Sequence, residues 1–263
     1  MIEARRVGID VLAITDHDTF AGYDAALPFA RELGINLLCG IELSTKLNGR
    51  SVHLLGYFIS HQELAEIREW TLQMQETRRE RNRRLITRLR GLGLDITLEE
   101  VQARGRGLIA RPHFAQVMVE KGYVTTIQDA FDQYLDESAI SYVPRQEPTF
   151  AEGVAMIRNA GGIASLAHPI RVLGDLSCLV PQMCSDGLNA LEVYHSDHNP
   201  VHTATYLALA KQHNLLITGG SDFHGAVKPG VSLGTGRDRN LSIPADLFVN
   251  LKSRESCGLS SIT

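Results

Sequence analysis

Five short segments gather histidine and acid in a chain of 263 residues. They are Thr15-Asp16-His17-Asp18, Gly40-Ile41-Glu42, Val52-His53-Leu54, Ala167-His168-Pro169 and Ser221-Asp222-Phe223-His224. Imidazole and carboxylate together suit Zn²⁺, Mn²⁺ or Fe²⁺, whereas oxygen ligands alone suit Mg²⁺ or Ca²⁺. A bridging carboxylate can hold two such ions about 3.5–4 Å apart, the spacing that activates water and clamps a phosphoryl group. Singly, each residue has an ordinary reading. A buried histidine is a common polar packing residue, and Asp18, just before Thr19-Phe20, is placed to cap a helix. The recurrence of these segments beside apolar runs is what points to a site.

The elements that must position them follow from periodicity. Short apolar runs at residues 11–15, 36–44, 51–58, 163–167, 188–194 and 215–219 read as strands. Helical patterns occupy 2–7, 19–33, 150–159 and 202–213, with Gly8 and Gly34 as stop signals. Asn48-Gly49 is a hairpin signal. Alternation of this kind implies a parallel sheet or barrel. The site would lie at the C-terminal ends of its strands. Glu192, His195 and His198 fall at the fifth run. The chain opens in a helix directly before a strand, so a first strand is expected to be missing. Residues 61–140 read differently, with helices at 63–90, 98–103, 112–121 and 127–135. The expected organisation is a discontinuous barrel over 1–60 and 141–250, a helical insertion over 61–140, and a tail over 251–263.

Composition narrows the class. Hydrophobic residues make up 44% and the net charge is −4, so a protein that simply coats nucleic acid is excluded. Four cysteines without a CxxC pair suit a reducing, cytoplasmic setting. No apolar run reaches the roughly 18 residues of a membrane span, and the N-terminus lacks a signal-peptide core. The insertion is rich in arginine. Arg111 and His113, at a loop-to-helix start where backbone N–H groups favour anions, are candidate substrate contacts. The row Arg81, Arg84, Arg88 reads as a solvated basic face with Glu76 and Glu80 at pairing distance.

The order TDHD, GIE, the histidine of VHLLGY, LAHP and SDFH resembles the PHP (polymerase and histidinol phosphatase) phosphoesterases. The resemblance extends through the insertion, with its Ala110-Arg111-Pro112-His113-Phe114, and through Tyr142-Val143-Pro144. Within the family it is similar to the branch that removes the 3′-phosphate from nucleoside 3′,5′-bisphosphates and is associated with 5′→3′ trimming of short RNA. It implies an α/β fold, a distorted (β/α)₇ PHP barrel with a helical insertion and its first strand missing, holding up to three divalent metals, Mn²⁺ foremost, with Zn²⁺, Fe²⁺ or Mg²⁺ as alternatives. By resemblance Glu42 bridges two metals, His53 and His168 complete one site, Asp222 serves the other, and His17 and His224 serve a third. His17, Asp222 and His224 are the catalytic candidates; His195 and His198 join Arg111 and His113 as substrate contacts. The family's opening Asp-Leu-His-x-His strand has no counterpart here, which leaves only the Glu42, His53, His168 site complete. The implied partner is a nucleotide bisphosphate or short RNA, with no membrane and no protein partner. The rival readings are another PHP chemistry such as histidinol-phosphate hydrolysis, and a non-catalytic metal- or nucleotide-binding protein.

Overall fold

The computed structural model describes residues 1–60, 64–105 and 108–258. Its elements are α1 (Ile2–Arg6), β1 (Val11–Ile14), α2 (Ala21–Leu33), β2 (Asn36–Leu47), β3 (Arg50–Phe58), α3 (Leu64–Gly91), α4 (Leu98–Gln102), α5 (Arg111–Glu120), α6 (Ile127–Ala130), α7 (Phe150–Asn159), β4 (Ile163–Leu166), α8 (Leu176–Ser185), β5 (Ala190–His195), α9 (Pro200–Gln212), β6 (Leu216–Gly220) and α10 (Asp246–Gly258). A π-helical turn over Phe131–Leu135 continues α6.

The six strands form one curled sheet in sequence order. Strands β1 and β2 are parallel, as are β4, β5 and β6, but β3 runs antiparallel to both of its neighbours. The antiparallel β2–β3 pair is the one that the hairpin signal at Asn48-Gly49 implies, within a βα series that is otherwise parallel but for β3–β4. The cause is the turn at Asn48 (φ 50°) and Gly49 (φ 77°), where two successive positive-φ residues reverse the chain as a tight hairpin requires. The reversal matters for the site. The start of an antiparallel strand lies beside the end of its parallel neighbour, so Ser44 on β2 pairs with His53 on β3. Side chains alternate faces along a strand, so Glu42, Ser44, His53 and Leu55 share one face.

Among the described residues β1 pairs only with β2, and β6 only with β5. Both edges border one cavity of about 420 Å³, walled by Leu12, Leu38, Leu55, Tyr57, Phe248 and Leu251, with Glu42, His168, Glu192 and Asp222 also on its lining. Leu251 and Phe248 of α10 pack with Leu38, Leu55, Tyr57 and Ile163. The expected tail from residue 251 is therefore, as far as Gly258, part of a helix whose apolar face packs against the sheet; residues 259–263 lie outside the described residues.

The chain divides into two compact units, Met1–Glu69 with Pro148–Thr263, and Trp70–Glu147. The boundaries fall later than the expected 60/61 and 140/141, because α3 is one uninterrupted helix that begins in the first unit. The second unit has its own core, built from Leu85, Leu89, Ile96, Phe114, Met118 and Leu135.

Candidate metal centre

Glu42, on β2, is 5% exposed. Its Oε1 lies 2.6 Å from His53 Nδ1 and 3.1 Å from His168 Nε2. Those two imidazole nitrogens are themselves 3.2 Å apart. His17 Nδ1 stands 3.8 Å from the other carboxylate oxygen. Burial alone would raise the Glu42 carboxyl, but the nearby His17 and His53 and the bonded His168 hold it well below the usual carboxylate range. It is an anion inside a ring of imidazoles.

The backbone explains why these groups meet. Asp18 N–H donates to the carbonyl of Glu42, and Glu42 N–H to that of Asp16, which carries the β1–β2 ladder past the end of β1 and brings His17 to Glu42. Asp18 does not cap α2. Its carboxylate accepts from Ser44 N–H at 2.8 Å and ties the loop to β2. Ala167 N–H donates to His53 carbonyl, which sets His168 beside His53. Asp18, His168 and Asp222 all have positive φ (54°, 26° and 52°), sparsely populated for residues with a Cβ. Such strain persists only where the surroundings over-determine it, and here it falls at the ends of β1, β4 and β6.

Asp222 forms the second focus. Its carboxylate lies 2.7 Å from Lys228 Nζ, 3.2 Å from Arg171, 3.4 Å from His195 Nε2 and 3.3 Å from His224 Nδ1. Burial opposes ionisation, yet His195, Lys228 and His224 hold the group far below the usual carboxylate range. His195 Nδ1 accepts the backbone N–H of Asp197, so a neutral ring carries its proton on Nε2, which stands 3.4 Å from Asp222 without forming a hydrogen bond. Asp197 in turn accepts from Arg171 and from Arg237 Nε; burial opposes, but the two guanidiniums pull its carboxyl down to about 2.

Glu192, on β5, accepts the backbone N–H of His168. Burial pushes its carboxyl up to about 7, against the pull of His195 and that N–H. His198 is buried behind His195, with ring centroids 5.1 Å apart, and donates from Nδ1 to Val193 carbonyl at 2.7 Å. Burial takes its imidazole down to about 4. Arg111 and His113 belong to the second unit. Arg111 donates to Leu135 carbonyl, and His113 Nδ1 accepts Ala110 N–H at the start of α5.

The donor set fits a divalent ion. At tetrahedral metal–ligand bonds of about 2.0–2.2 Å, neighbouring ligand atoms stand about 3.3–3.6 Å apart; the His168 sides of the triangle, 3.1 and 3.2 Å, come near this, and the Glu42–His53 side, 2.6 Å, is a hydrogen bond that an ion would open. Burial lowers the basicity of His168 and keeps the ring neutral, the form that ligates. One ligand atom each from His17, Glu42 and His53 also fall within 4.8 Å of one another. At Asp222 an ion would have to share the carboxylate with the Lys228 ammonium. Lys228 and Arg171 were not foreseen. Arg171 ends a single 3₁₀ turn and Lys228 follows another, segments too short for periodicity to mark, and their only signal was proximity in sequence, six residues after Asp222 for Lys228 and three after His168 for Arg171.

A curled sheet whose rim gathers imidazoles around a buried carboxylate suits a metal-dependent hydrolase. The comparisons agree. The chain is 36% identical over 252 residues to the 5′-3′ exoribonuclease Rnm of Salmonella typhimurium, covering 91% of this chain and 81% of that protein. It is 30% identical over 233 residues to a 3′,5′-nucleoside bisphosphate phosphatase of Chromobacterium violaceum, covering 87% and 81%. A crystal structure from Bifidobacterium adolescentis, described as a metal-dependent phosphoesterase, superposes with a TM-score of 0.81 at 33% identity, covering 96% of this chain and 88% of that one. No family profile matches the chain. The protein belongs to the PHP phosphoesterases and is a hydrolase.

Proposed function

We propose that the protein removes the 3′-phosphate from nucleoside 3′,5′-bisphosphates with Mn²⁺, and that it trims short RNA from the 5′ end. The observation that carries this reading is the Glu42, His53, His168 triangle beside an Asp222 held by Lys228 and Arg171. The names of two relatives supply the substrate class. Glu42, His53, His168 and His17 would hold divalent metal, with Asp222 and His224 completing the rim. Bound metal would supply an activated water and positive charge for the phosphoryl oxygens.

This chain's own groups do the rest. Arg171 and Lys228 neutralise the charge that develops as water oxygen bonds to phosphorus and the P–O3′ bond breaks. His224 donates through Nδ1 to Asp222 carbonyl, which leaves Nε2 to take the proton of the attacking water. His224 then passes that proton to the leaving 3′-oxygen. The products are a nucleoside 5′-monophosphate and inorganic phosphate. Arg111 and His113 are assigned to substrate contact.

The test is phosphate release from adenosine 3′,5′-bisphosphate with Mn²⁺, against histidinol phosphate and a 5′-phosphorylated RNA trimer. Chelator-sensitive release from the bisphosphate in preference to histidinol phosphate supports the reading. Preference for histidinol phosphate, or metal binding with no turnover on any of the three, overturns it.

A further inference from the structure

Two residues after the end of β5, Asp197 engages a guanidinium with each of its carboxylate oxygens. Oδ2 accepts from Arg171 Nη2, and Oδ1 accepts from Arg237 Nε at 2.9 Å. The same Nη2 of Arg171 stands 3.2 Å from Asp222 Oδ2. One nitrogen therefore faces two carboxylates, and its hydrogen bond goes to Asp197. Asp197 reaches Asp222 by a second route through its backbone, whose N–H sets His195 Nδ1 as an acceptor. His195 Nε2 lies 3.4 Å from that same Asp222 oxygen. Two of the groups around Asp222 thus take their places from Asp197. Burial opposes its charge, but the two guanidiniums hold its carboxyl down to about 2, so Asp197 is an anion at neutral pH and has no proton to move.

Asp197 is itself braced. Arg237 N–H donates to Asn240 Oδ1 at 2.9 Å, Asn240 Nδ2 donates to Ser196 carbonyl at 2.8 Å, and Ser196 Oγ donates to the carbonyl of Ser221, the residue before Asp222. These bonds tie the loop after β5, the turn at 237–240 and the end of β6 together. Arg171 has no such support. It ends a single 3₁₀ turn, and its side chain is 42% exposed. An exposed ion pair is ordinarily weak, because a long side chain must be ordered to make it, and it gains where several charges form a network. Here one anion joins two guanidiniums. Among the described residues, Arg171 Nε and Nη1 donate to no group. Held by one nitrogen, the guanidinium keeps the rest of its planar fork for an incoming oxyanion. Released, it would have Asp222 as its nearest carboxylate, and pairing there would take it from the phosphoryl group.

We propose that Asp197 is a positioning residue: it grips Arg171 through Nη2, keeps that guanidinium from closing on Asp222, and leaves its other N–H groups for the phosphoryl oxygens. This rests on the role given to Arg171 in the function proposed above, but the grip itself can be observed without turnover.

The experiment uses the full chain. Steady-state kinetics on adenosine 3′,5′-bisphosphate with Mn²⁺ are compared for the parent, Asp197→Asn, Arg171→Gln and the double variant. Asparagine keeps the size and one acceptor oxygen and removes the charge. Losing a contact made only in the transition state lowers kcat and leaves KM in place, so Asp197→Asn should lose about tenfold or more in kcat with KM unchanged. Asp197→Glu, which restores the charge, should recover most of that loss. In the Arg171→Gln background Asp197→Asn should cost nothing further, since residues that act through one another are not additive. An equal loss in both backgrounds would make Asp197 merely structural and overturn the proposal, as would a higher KM with kcat intact. Should Asp197→Asn fail to fold, Asp197→Ser carries the same cycle. Arginine side-chain NMR on metal-free protein reads the grip directly. Rotation of the Arg171 guanidinium about Nε–Cζ should be slow in the parent and fast in Asp197→Asn, and that result sustains the grip even if the bisphosphate proves not to be a substrate. Fast rotation in the parent, or slow rotation in both, overturns the proposal whatever the fate of the catalytic reading.

Discussion

At the scale of the residue, the centre is an anion surrounded by imidazoles, and each group predicts its own loss. Glu42→Gln keeps the shape and removes the charge. It should lower bound metal and phosphate release by more than about 100-fold, beyond the 10–100-fold typical of a residue that merely supports a ligand; metal analysis and turnover on the same preparation check this. Lys228→Met frees one side of Asp222. The variant should bind divalent metal more tightly at that carboxylate while turnover falls, and metal affinity unchanged from the parent would separate Lys228 from the metal site. Glu192 gives a pH signature. Its folded carboxyl titrates near 7, above the ordinary value of about 4.3. The unfolded chain therefore ionises first as pH rises, and folding loses stability progressively from about pH 4.5 to 7, by roughly 3–4 kcal/mol in all. Glu192→Gln in metal-free protein should raise the melting temperature at pH 8 and leave it nearly unchanged at pH 4; an equal shift at both would place the group in a different environment. The sequence made the histidines and acids legible because they stand beside apolar runs. It left Arg171 and Lys228 unread, since a basic residue in an irregular segment looks the same whether it faces water or a buried carboxylate.

At the scale of the element, strand positions were legible to within a few residues, and strand direction only where a turn signal marked it. An apolar run encodes burial, not polarity, so only Asn48-Gly49 carried the information that β3 turns back. Helix α8 also went unread, with Pro181 inside it breaking the usual pattern. The Gly40-Ile41-Glu42 segment has a reason for its first residue. A Cβ on Gly40 would stand 2.7 Å from Thr15 Cγ2 and 2.9 Å from Ile14 carbonyl oxygen. Backbone cannot yield as a side-chain tip can, so Gly40→Ala must push β1 from β2. The expected result is about 1–3 kcal/mol of lost stability, with a fall in turnover because Glu42 moves with its strand. Denaturant unfolding and phosphate release measure the two effects; a stable variant that loses turnover alone would put the strain elsewhere.

At the scale of the whole molecule, no helix among the described residues is long and apolar enough to cross a membrane. The proposed ligands Glu42 and His53, eleven residues apart on β2 and β3, meet His168 at the end of β4, more than a hundred residues further on, all in the first unit. Metal bound only by the folded chain stabilises it by mass action, about 2.7 kcal/mol at a free concentration one hundred times Kd. Mn²⁺ should therefore raise the melting temperature of the parent and leave His168→Ala where it was. The discontinuous division into a sheet unit and a helical unit was legible from the change in periodicity near residue 61. Its borders were not, because a single helix runs across the first of them and gives no break to read.

The hairpin between Glu42 and His53 has a consequence for how this chain can change length. The two ligands face the same way because the pairing keeps both on one side of the pleat. A slip of one residue sends every side chain of a strand to the other side. Insertion or deletion of a single codon at Asn48-Gly49 would thus turn His53 away from Glu42 unless a bulge absorbed it, while a change of two would leave the ligands facing each other. Parity of loop length, more than the identity of the residues in it, is what genetic drift at this turn has to respect.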